Sequence, residues 1–573
     1  MKNKVVVIGI DGGTWKVIDP LLKEGKLPHL EKIIKKGVRS SMHTTIPSQT
    51  VPAWPACYTG VNPGKLGIYH FLTDPHKDYD EGRTQTVNDL KVKTIWDYLT
   101  ENNKTALSIF VPFTYPPLEI NGAIVTPVRI LKELGKAELM TFPPELFKEL
   151  QKISGVNIEK MVEQKIKIEK MKDEFTQDNK IRVLEKMKDL YIFTIKKIRE
   201  GTLYLMKKYK WDFLMVVFTP VDVLQHRFWR FMDKAHPTYD PVLADVFGKA
   251  IAEGYAEVDQ AIGEILQEAG DDVNLFIVSD HGFTPVCKWF YLNSFLKSIG
   301  LLKVKDRAPY KLRMRTYRLQ KILNRFKMGF IAKMLPPGVK KLGVPIPRRD
   351  KLAISEMIDW SSTRAYATSF GININLRGRE PDGIVSPEEY DSLIHEIRTR
   401  LYELNDPDTG RKIISKVFTK EELYQGPYVG SAPDIQFLLS ESYYMFSKSL
   451  DNATLFRDMD HNNYAINAHH INSEESSYNA IFMAYGKHIK HTGLNTTPRI
   501  VDIVPTVLYL MGLPVPDELD GRPIAEILDE EFLKANNIDY QKIHIYKERE
   551  ELLLSKEEED RMKEQLKNLG YIE

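Results

Sequence analysis

Several things are scarce in this sequence of 573 residues, and each scarcity excludes something. It has two cysteines, Cys57 and Cys287, too few for a disulfide framework and too far apart for a Cys-x-x-Cys metal or redox motif. A reducing compartment fits that usage. No apolar run approaches the ~20 residues that a membrane-spanning helix needs. The first apolar stretch, from Val5, meets the charge of Asp11 too soon to be a secretory signal. These absences lead us to expect a soluble cytoplasmic protein, or one peripheral to the inner membrane surface. Net charge is scarce as well, since 80 Lys and Arg against 78 Asp and Glu leave +2. That balance is an average. Residues 303–349 hold 15 Lys or Arg against one acid, Asp306, so this stretch carries +14 and the remainder of the +2 chain carries −12. Near-neutrality therefore does not exclude a basic docking surface.

What is present is a large apolar inventory, 43% of residues, enough for an extensive core and, by length, roughly two to four domains. Five short runs rich in Val, Ile and Phe read as buried parallel strands: Lys4 to Asp11, Thr105 to Phe113, Trp211 to Asp222, Val273 to Asp280 and Asn479 to Gly486. Helical patterns such as Ile251 to Ala269 separate them, which indicates an α/β sheet covered on both faces. Three of the runs end on aspartate, at Asp11, Asp222 and Asp280. Ligands of open α/β sheets gather at the carboxyl ends of strands, so the three carboxylates point to one shared site.

The expected division is a first part of the core over 1–302, with a helical insertion over about 131–209, then a basic insertion over 303–349, a second part of the core over 350–530, and a helical tail over 531–573. Within 156–209, Leu184, Met187, Tyr191, Ile195 and Ile198 recur at helical spacing and mark an amphipathic helix laid on the sheet. In the tail, Ser555 with Glu558 forms a capping-box pattern ahead of Met562, Leu566 and Leu569. The basic stretch sets Leu319, Ile322, Leu323, Phe326, Phe330, Ile331 and Met334 at helical spacing among Arg315, Arg318, Lys321, Arg325, Lys327 and Lys333. It reads as a solvated helix, a helix lying on an anionic membrane surface, or a clamp for a polyanion, with nucleic acid disfavoured by its few aromatics.

Four elements carry candidate chemistry. Asp11-Gly12-Gly13 exposes a carboxylate at a strand end and lets the backbone turn sharply. In Ser48-Gln49-Thr50-Val51-Pro52, the proline suits the first turn of a helix and places Thr50 at its N-terminus. Free amides and the helix dipole there favour an alkoxide and an incoming phosphate; a plain N-cap role for Thr50 or Ser48 is the alternative. No nearby His or Lys offers itself as a base, so a metal ion is the expected activator. Asp222 and His226 stand at i and i+4, on one face if a helical turn follows the strand. Asp280-His281-Gly282 sets two ligand types before a glycine turn. Further on, Asn467-Ala468-His469-His470 offers one more imidazole from either histidine. This mixed nitrogen and oxygen set suits two zinc or similar transition ions, with manganese or iron as alternatives, better than calcium.

Together these residues resemble the alkaline phosphatase superfamily, in its type I phosphodiesterase / nucleotide pyrophosphatase branch. The match rests on Asp11, on Thr45-Ile46-Pro47 through Thr50, Pro52, Ala53 and Trp54, on Thr59-Gly60, Asn62-Pro63-Gly64-Lys65 and Gly67-Ile68, on Asp222 with His226, on Asp280-His281-Gly282 and on a late histidine. The segment Trp360 to Glu380, with Ala432-Pro433-Asp434, looks like an uncharacterised prokaryotic subgroup of that branch. The resemblance implies a three-layer α/β/α sandwich with a mostly parallel sheet and helical insertions. It also implies a covalent phospho-threonine on Thr50, one metal held by Asp11, Thr50, Asp280 and His281, and another by Asp222, His226 and His469. Two departures touch nucleotide specificity: Phe71, beside His70, stands where the family's phosphate-steadying Asn is expected, and Leu66 replaces a familiar His. The expected activity is hydrolysis of a phosphodiester or pyrophosphate bond in a small phosphate ester. Monoester hydrolysis or mutase-like transfer is the alternative, followed by a degenerate membrane-surface or nucleic-acid binding protein. The Cys-x-Pro-x-Arg sequence of sulfatases is absent.

Overall fold

The computed structural model describes residues 3–73, 79, 82–127, 140–154, 180–305, 354–368, 371–447, 450, 454–459, 468–470, 473–550, 552 and 554–569. Most of the basic insertion, 306–349, and the part of the charged helical stretch at 155–179 lie outside these residues.

The first half of the chain lays down β1 (Lys4–Gly9), β2 (Val38–Met42), β3 (Ala106–Ile109), β4 (Gly122–Val125), β5 (Thr141–Phe142), β6 (Phe213–Val217) and β7 (Val273–Val278). It is followed by β8 (Thr284–Tyr291), β9 (Ala365–Thr368), β10 (Gly371–Ile374), β11 (Ile414–Thr419), β12 (Ile435–Leu439), β13 (Ser442–Phe446), β14 (Phe456–Asp458), β15 (Ala468–His469) and β16 (Ala480–Gly486). The main sheet has eight strands in the order β2-β16-β7-β1-β6-β3-β4-β5. Its centre, β7-β1-β6-β3-β4, is parallel throughout.

Each of the five apolar runs supplies a strand of this sheet. The expectation of a parallel strand near 479–486 is corrected, because β16 runs antiparallel to both β7 and β2. A run buried on both faces looks the same in either direction, and its orientation depends on how the chain returns to the sheet.

Alternate residues of the central strands feed two different cores, which is why the sheet is covered on both sides. Val5, Val7, Met215 and Val217 pack with Trp54, Trp96, Leu99 and Leu508. On the opposite face Val6, Ile8, Leu214 and Val216 pack with Leu184, Ile195, Tyr255 and Ile262, from the helices Lys180–Lys208 and Ala250–Ala269. At about 1.5–3 kcal/mol for each fully buried aliphatic side chain, these rows hold the sheet rigid beneath the site. The charged stretch ending at 208 thus contributes a covering helix to the sandwich. Its Leu184, Met187, Ile195 and Ile198 are buried.

Within the 350–530 block, residues 365–439 form a separate antiparallel sheet, β11-β12-β10-β9, with its own apolar cluster around Ile372, Ile374, Leu393 and Phe437. A third sheet centres on β8. There β15 pairs Ala468 with Pro285 and His469 with Thr284, which brings the late histidines beside Asp280-His281. In the tail, the Ser555–Glu558 capping box closes the start of the Lys556–Leu569 helix, with Ser555 N–H donating to Glu558 at 2.7 Å and Glu558 N–H to Ser555 Oγ at 3.3 Å. Met562 packs on the cluster of Tyr115, Met140 and Phe147. Among the described residues no helix is long and apolar enough to cross a membrane.

Candidate active site

Asp11 and Asp280 each stand two residues beyond a strand, β1 and β7 respectively, at neighbouring positions on the carboxyl edge of the sheet. Asp222 is placed differently from the sequence reading. The strand β6 ends at Val217, and Asp222 lies in the first turn of the helix Pro220–Met232, which starts at the same edge. His226 follows one turn later, with Nε2 3.4 Å from Asp222 Oδ1. Thr50 is the first residue of the helix Thr50–Thr59, whose regular part begins beyond the extended Val51.

All seven residues singled out from the sequence, Asp11, Thr50, Asp222, His226, Asp280, His281 and His469, are buried, as is His470. The acidic and histidine side chains converge in three overlapping groups: Asp11 with Asp280 and His281; Asp222 with His281 and His470; and His226 with His469 and His470. Within each group the potential ligand atoms lie within 4.8 Å of one another. The rings of His281 and His470 stack at 3.6 Å between centroids, so the groups form one continuous centre.

The hydrogen bonds around this centre fix which atoms face inward. Gly12 N–H donates to Asp280 Oδ1 at 3.1 Å and leaves Oδ2, which has no hydrogen-bond partner, 3.1 Å from His281 Nε2. The indole N–H of Trp54 donates to Asp11 Oδ2 at 3.4 Å and leaves Oδ1 without a partner, 3.9 Å from His281 Nε2. Both Asp222 oxygens and Thr50 Oγ1 are also buried without a hydrogen-bond partner.

Backbone carbonyls only accept, so each imidazole whose Nδ1 meets one carries its proton there and turns the Nε2 lone pair to the centre. That holds for His226 on Ala468 O at 2.7 Å, His281 on Gly282 O at 3.0 Å and His470 on Ser48 O at 2.8 Å. His470 Nε2 lies 3.8 Å from Asp222 Oδ1. His469 is different. Its Nδ1 accepts the backbone N–H of His470 at 2.9 Å, which places the proton of the neutral ring on Nε2.

Thr50 is bracketed by contacts to both ends of the centre. Two residues before it, Ser48 Oγ donates to His470 O at 2.7 Å while Ser48 O receives the His470 ring. One turn after it, Trp54 reaches Asp11. Trp54 packs so tightly on β1 that a Cβ at Gly9 would come within 2.3 Å of the indole, so only glycine fits there. The roles of Ser48 and Trp54 escape a sequence reading, since neither is a ligand type and both act across long sequence separations.

The electrostatics are those of an unbalanced anionic pocket. Burial, followed by the charges of Asp280 and Asp222, pushes the Asp11 carboxyl well above the usual carboxylate range. Burial disfavours a charged His281, but the adjacent Asp280 carboxylate outweighs it and raises that imidazole. Burial and the three neighbouring imidazoles hold His470 well below the ordinary histidine value. Among the described residues, no lysine or arginine pairs with Asp11, Asp222 or Asp280; their partners within salt-bridge range are histidines alone.

Over residues 5–471 the sequence matches the family described as type I phosphodiesterase / nucleotide pyrophosphatase. The chain belongs to that family. Membership makes it a phosphoric ester hydrolase of the phosphodiesterase and pyrophosphatase type, in a family that is typically metal-dependent. No curated protein matches it by sequence. Among solved structures it is similar to the murine ectonucleotide pyrophosphatase / phosphodiesterase 5, an inactive form in complex with AMP, at 12% identity and a TM-score of 0.47, covering 92% of this chain and 100% of that one. The human ectonucleotide pyrophosphatase / phosphodiesterase 5 gives the same values. The phosphonoacetate hydrolase of Sinorhizobium meliloti 1021, in complex with phosphonoformate, gives 14% identity and a TM-score of 0.48, covering 89% of this chain and 95% of that one.

Proposed function

We propose that the protein hydrolyses a phosphodiester or pyrophosphate bond of a small phosphate ester through a covalent phospho-threonine on Thr50, with two divalent cations of the zinc type. The observation that carries this reading is the set of buried, unpartnered atoms in the clustered ligand groups, Asp11 Oδ1, Asp280 Oδ2, both oxygens of Asp222 and the Nε2 atoms of His281 and His470, together with the buried, unpartnered Thr50 Oγ1. Leaving such groups buried and unpaired is costly, and ions that accept nitrogen and oxygen donors together would offset that cost. Asp11, Asp280 and His281, with Thr50, would hold one ion. Asp222, His226 and His470 would hold the other, His470 being preferred to His469 because its Nε2 keeps a free lone pair.

Two such ions lower the pKa of a bound hydroxyl and stabilise charge on a leaving oxygen. In the first step, Thr50 Oγ forms a bond to phosphorus as the bond from phosphorus to the leaving oxygen breaks. Water then attacks the same phosphorus, the bond to Thr50 Oγ breaks, and the hydroxyl is restored. Ser48 and Trp54 hold the segment around Thr50 against both halves of the centre throughout.

Monoester hydrolysis or mutase-type transfer on the same threonine is the second reading. It is favoured by Phe71 and Leu66 standing where nucleotide-specific members carry polar groups. The deciding measurement compares bis-(p-nitrophenyl) phosphate with p-nitrophenyl phosphate, in the parent protein and in Thr50→Ala, alongside metal analysis of the purified chain. The expectation is two equivalents of metal, a preference for the diester and loss of turnover in Thr50→Ala. Undiminished turnover in that variant would remove the covalent route, and a strong monoester preference would install the second reading.

The charge of the 303–349 stretch supports a peripheral contact with anionic lipid. Sedimentation with phosphatidylserine vesicles at low and high salt tests it; binding that salt does not weaken counts against it.

A further inference from the structure

Gln225 sits between Asp222 and His226 on the helix Pro220–Met232, and it is fully buried. Its carboxamide does not turn towards the cluster of unpartnered ligand atoms. Its Nε2 donates to Gly12 O at 2.8 Å, and its Oε1 accepts from the hydroxyl of Tyr255 at 3.3 Å. The same hydroxyl accepts the backbone N–H of Thr14 at 3.2 Å. A carbonyl on one side and a phenol on the other leave the amide only one satisfied orientation.

Gly12 is held on both sides, through the N–H of its peptide link to Asp11 and through the C=O of its link to Gly13. The N–H donates to Asp280 Oδ1, and the C=O receives Gln225. Gly12 lies at φ +65, where an added Cβ would meet Phe283 at 3.0 Å and Gln225 Nε2 at 3.1 Å. The turn is therefore packed in one way, and its geometry sets which Asp280 oxygen faces inward. A path of two hydrogen bonds joined through the Gly12 backbone thus runs from a residue assigned to one cation, Asp280, to the helix that supplies two ligands of the other.

We propose that Gln225 is a positioning residue that couples the two cation sites by tying the Asp222–His226 helix to the turn that orients Asp280. This rests on the two-cation reading above. Removing the Gln225 donor leaves Gly12 O without its partner, frees the Gly12–Gly13 peptide to rotate about the Gly12 Cα and so loosens the turn whose Gly12 N–H orients Asp280, although Gln225 belongs to the helix of the other site. A merely structural glutamine would instead lower the stability of the fold, or weaken the site on its own helix alone.

The test is titration of Zn²⁺ into the metal-free full-length protein against a competing chromophoric chelator. His226→Ala serves as the background that reports the Asp11–Asp280–His281 site, and His281→Ala as the background that reports the Asp222 site. In the His226→Ala background, Gln225→Met is expected to weaken zinc binding about 10- to 100-fold, the usual size of an outer-shell effect. Tyr255→Phe keeps the donor but loses its orienting hydroxyl, and it should weaken the same site by a few-fold. Thermal melting of the metal-free variants reports the fold separately. Unchanged zinc affinity of the first site in Gln225→Met would overturn the coupling. A parent protein that binds two zinc ions while Gln225→Met matches it sinks the coupling alone; a parent that binds none sinks the two-cation reading with it.

Discussion

Asp11 and Asp434 are both fully buried aspartates, and their surroundings are opposites. Asp434, immediately before β12, takes both terminal guanidinium nitrogens of Arg379 at 2.7 and 2.6 Å, Lys420 Nζ at 2.8 Å, the Tyr390 hydroxyl at 2.6 Å and the Ile374 N–H at 2.7 Å. Burial alone would raise its pKa, but Arg379 and then Lys420 push it well below the usual range. Asp11 has one neutral donor, Trp54, and two carboxylates for neighbours. The first cluster carries its own cations and ties β10, β12 and the loop between β10 and the helix Pro387–Tyr402 together. Among the described residues the second has donor atoms in place and no lysine or arginine to match, a deficit that the proposed ions would fill.

The largest break between the two regions should come from chelation. Prolonged dialysis against a strong chelator is expected to abolish turnover of the diester, with recovery on adding Zn²⁺ or Mn²⁺, because the carboxylate centre depends on external charge. The Asp434 cluster needs none, so the second sheet should keep its structure, read by near-ultraviolet circular dichroism. Full activity in a demonstrably metal-free sample would end the distinction.

The next effect runs the other way. Arg379→Met leaves a buried carboxylate against one remaining cation, and breaking such a pair costs about 3–5 kcal/mol. The melting midpoint should fall at neutral pH while zinc stoichiometry stays at the parent value. Its pH dependence follows from the sign of the Asp434 shift. A carboxyl with a lowered folded pKa contributes stability that is fully present above the unfolded value, near 4, and is lost as pH falls through the folded one. The parent should therefore lose stability in acid more steeply than Arg379→Met. Parallel midpoint-against-pH curves for the two proteins would show that Asp434 does not depend on Arg379.

How far the sequence speaks differs between these regions for the same reason. The apolar runs identify five of the eight strands of the main sheet because burial on both faces leaves a compositional mark, yet β16 shows that direction leaves none. Asp11, Asp222, Asp280 and their histidines stand out because each lies in or beside an apolar run with a second ligand type or a glycine next to it. Arg379 and Asp434 are 55 positions apart, and nothing local in either says that they meet. The choice between His469 and His470 rests on a backbone N–H and a carbonyl, which have no sequence signature. Gln225 and Trp54 belong to the same class: their value lies in where a neutral N–H points.

The smallest effect tests that last point. Trp54→Phe keeps an aromatic ring in the core but removes the side-chain donor to Asp11 Oδ2 and opens a gap beside Gly9, where the indole edge now packs. A hydrogen bond to a charged acceptor contributes about 1.5–3 kcal/mol, and one as long as 3.4 Å falls below that, nearer ~1 kcal/mol. Zinc affinity at the Asp11–Asp280–His281 site should then drop only about fivefold, the equivalent of ~1 kcal/mol. The corresponding loss at Asp434, Tyr390→Phe, should shift zinc affinity not at all and lower the melting midpoint instead. If Trp54→Phe also moves only the midpoint, the indole is packing for the sheet and Asp11 is oriented by the ion alone.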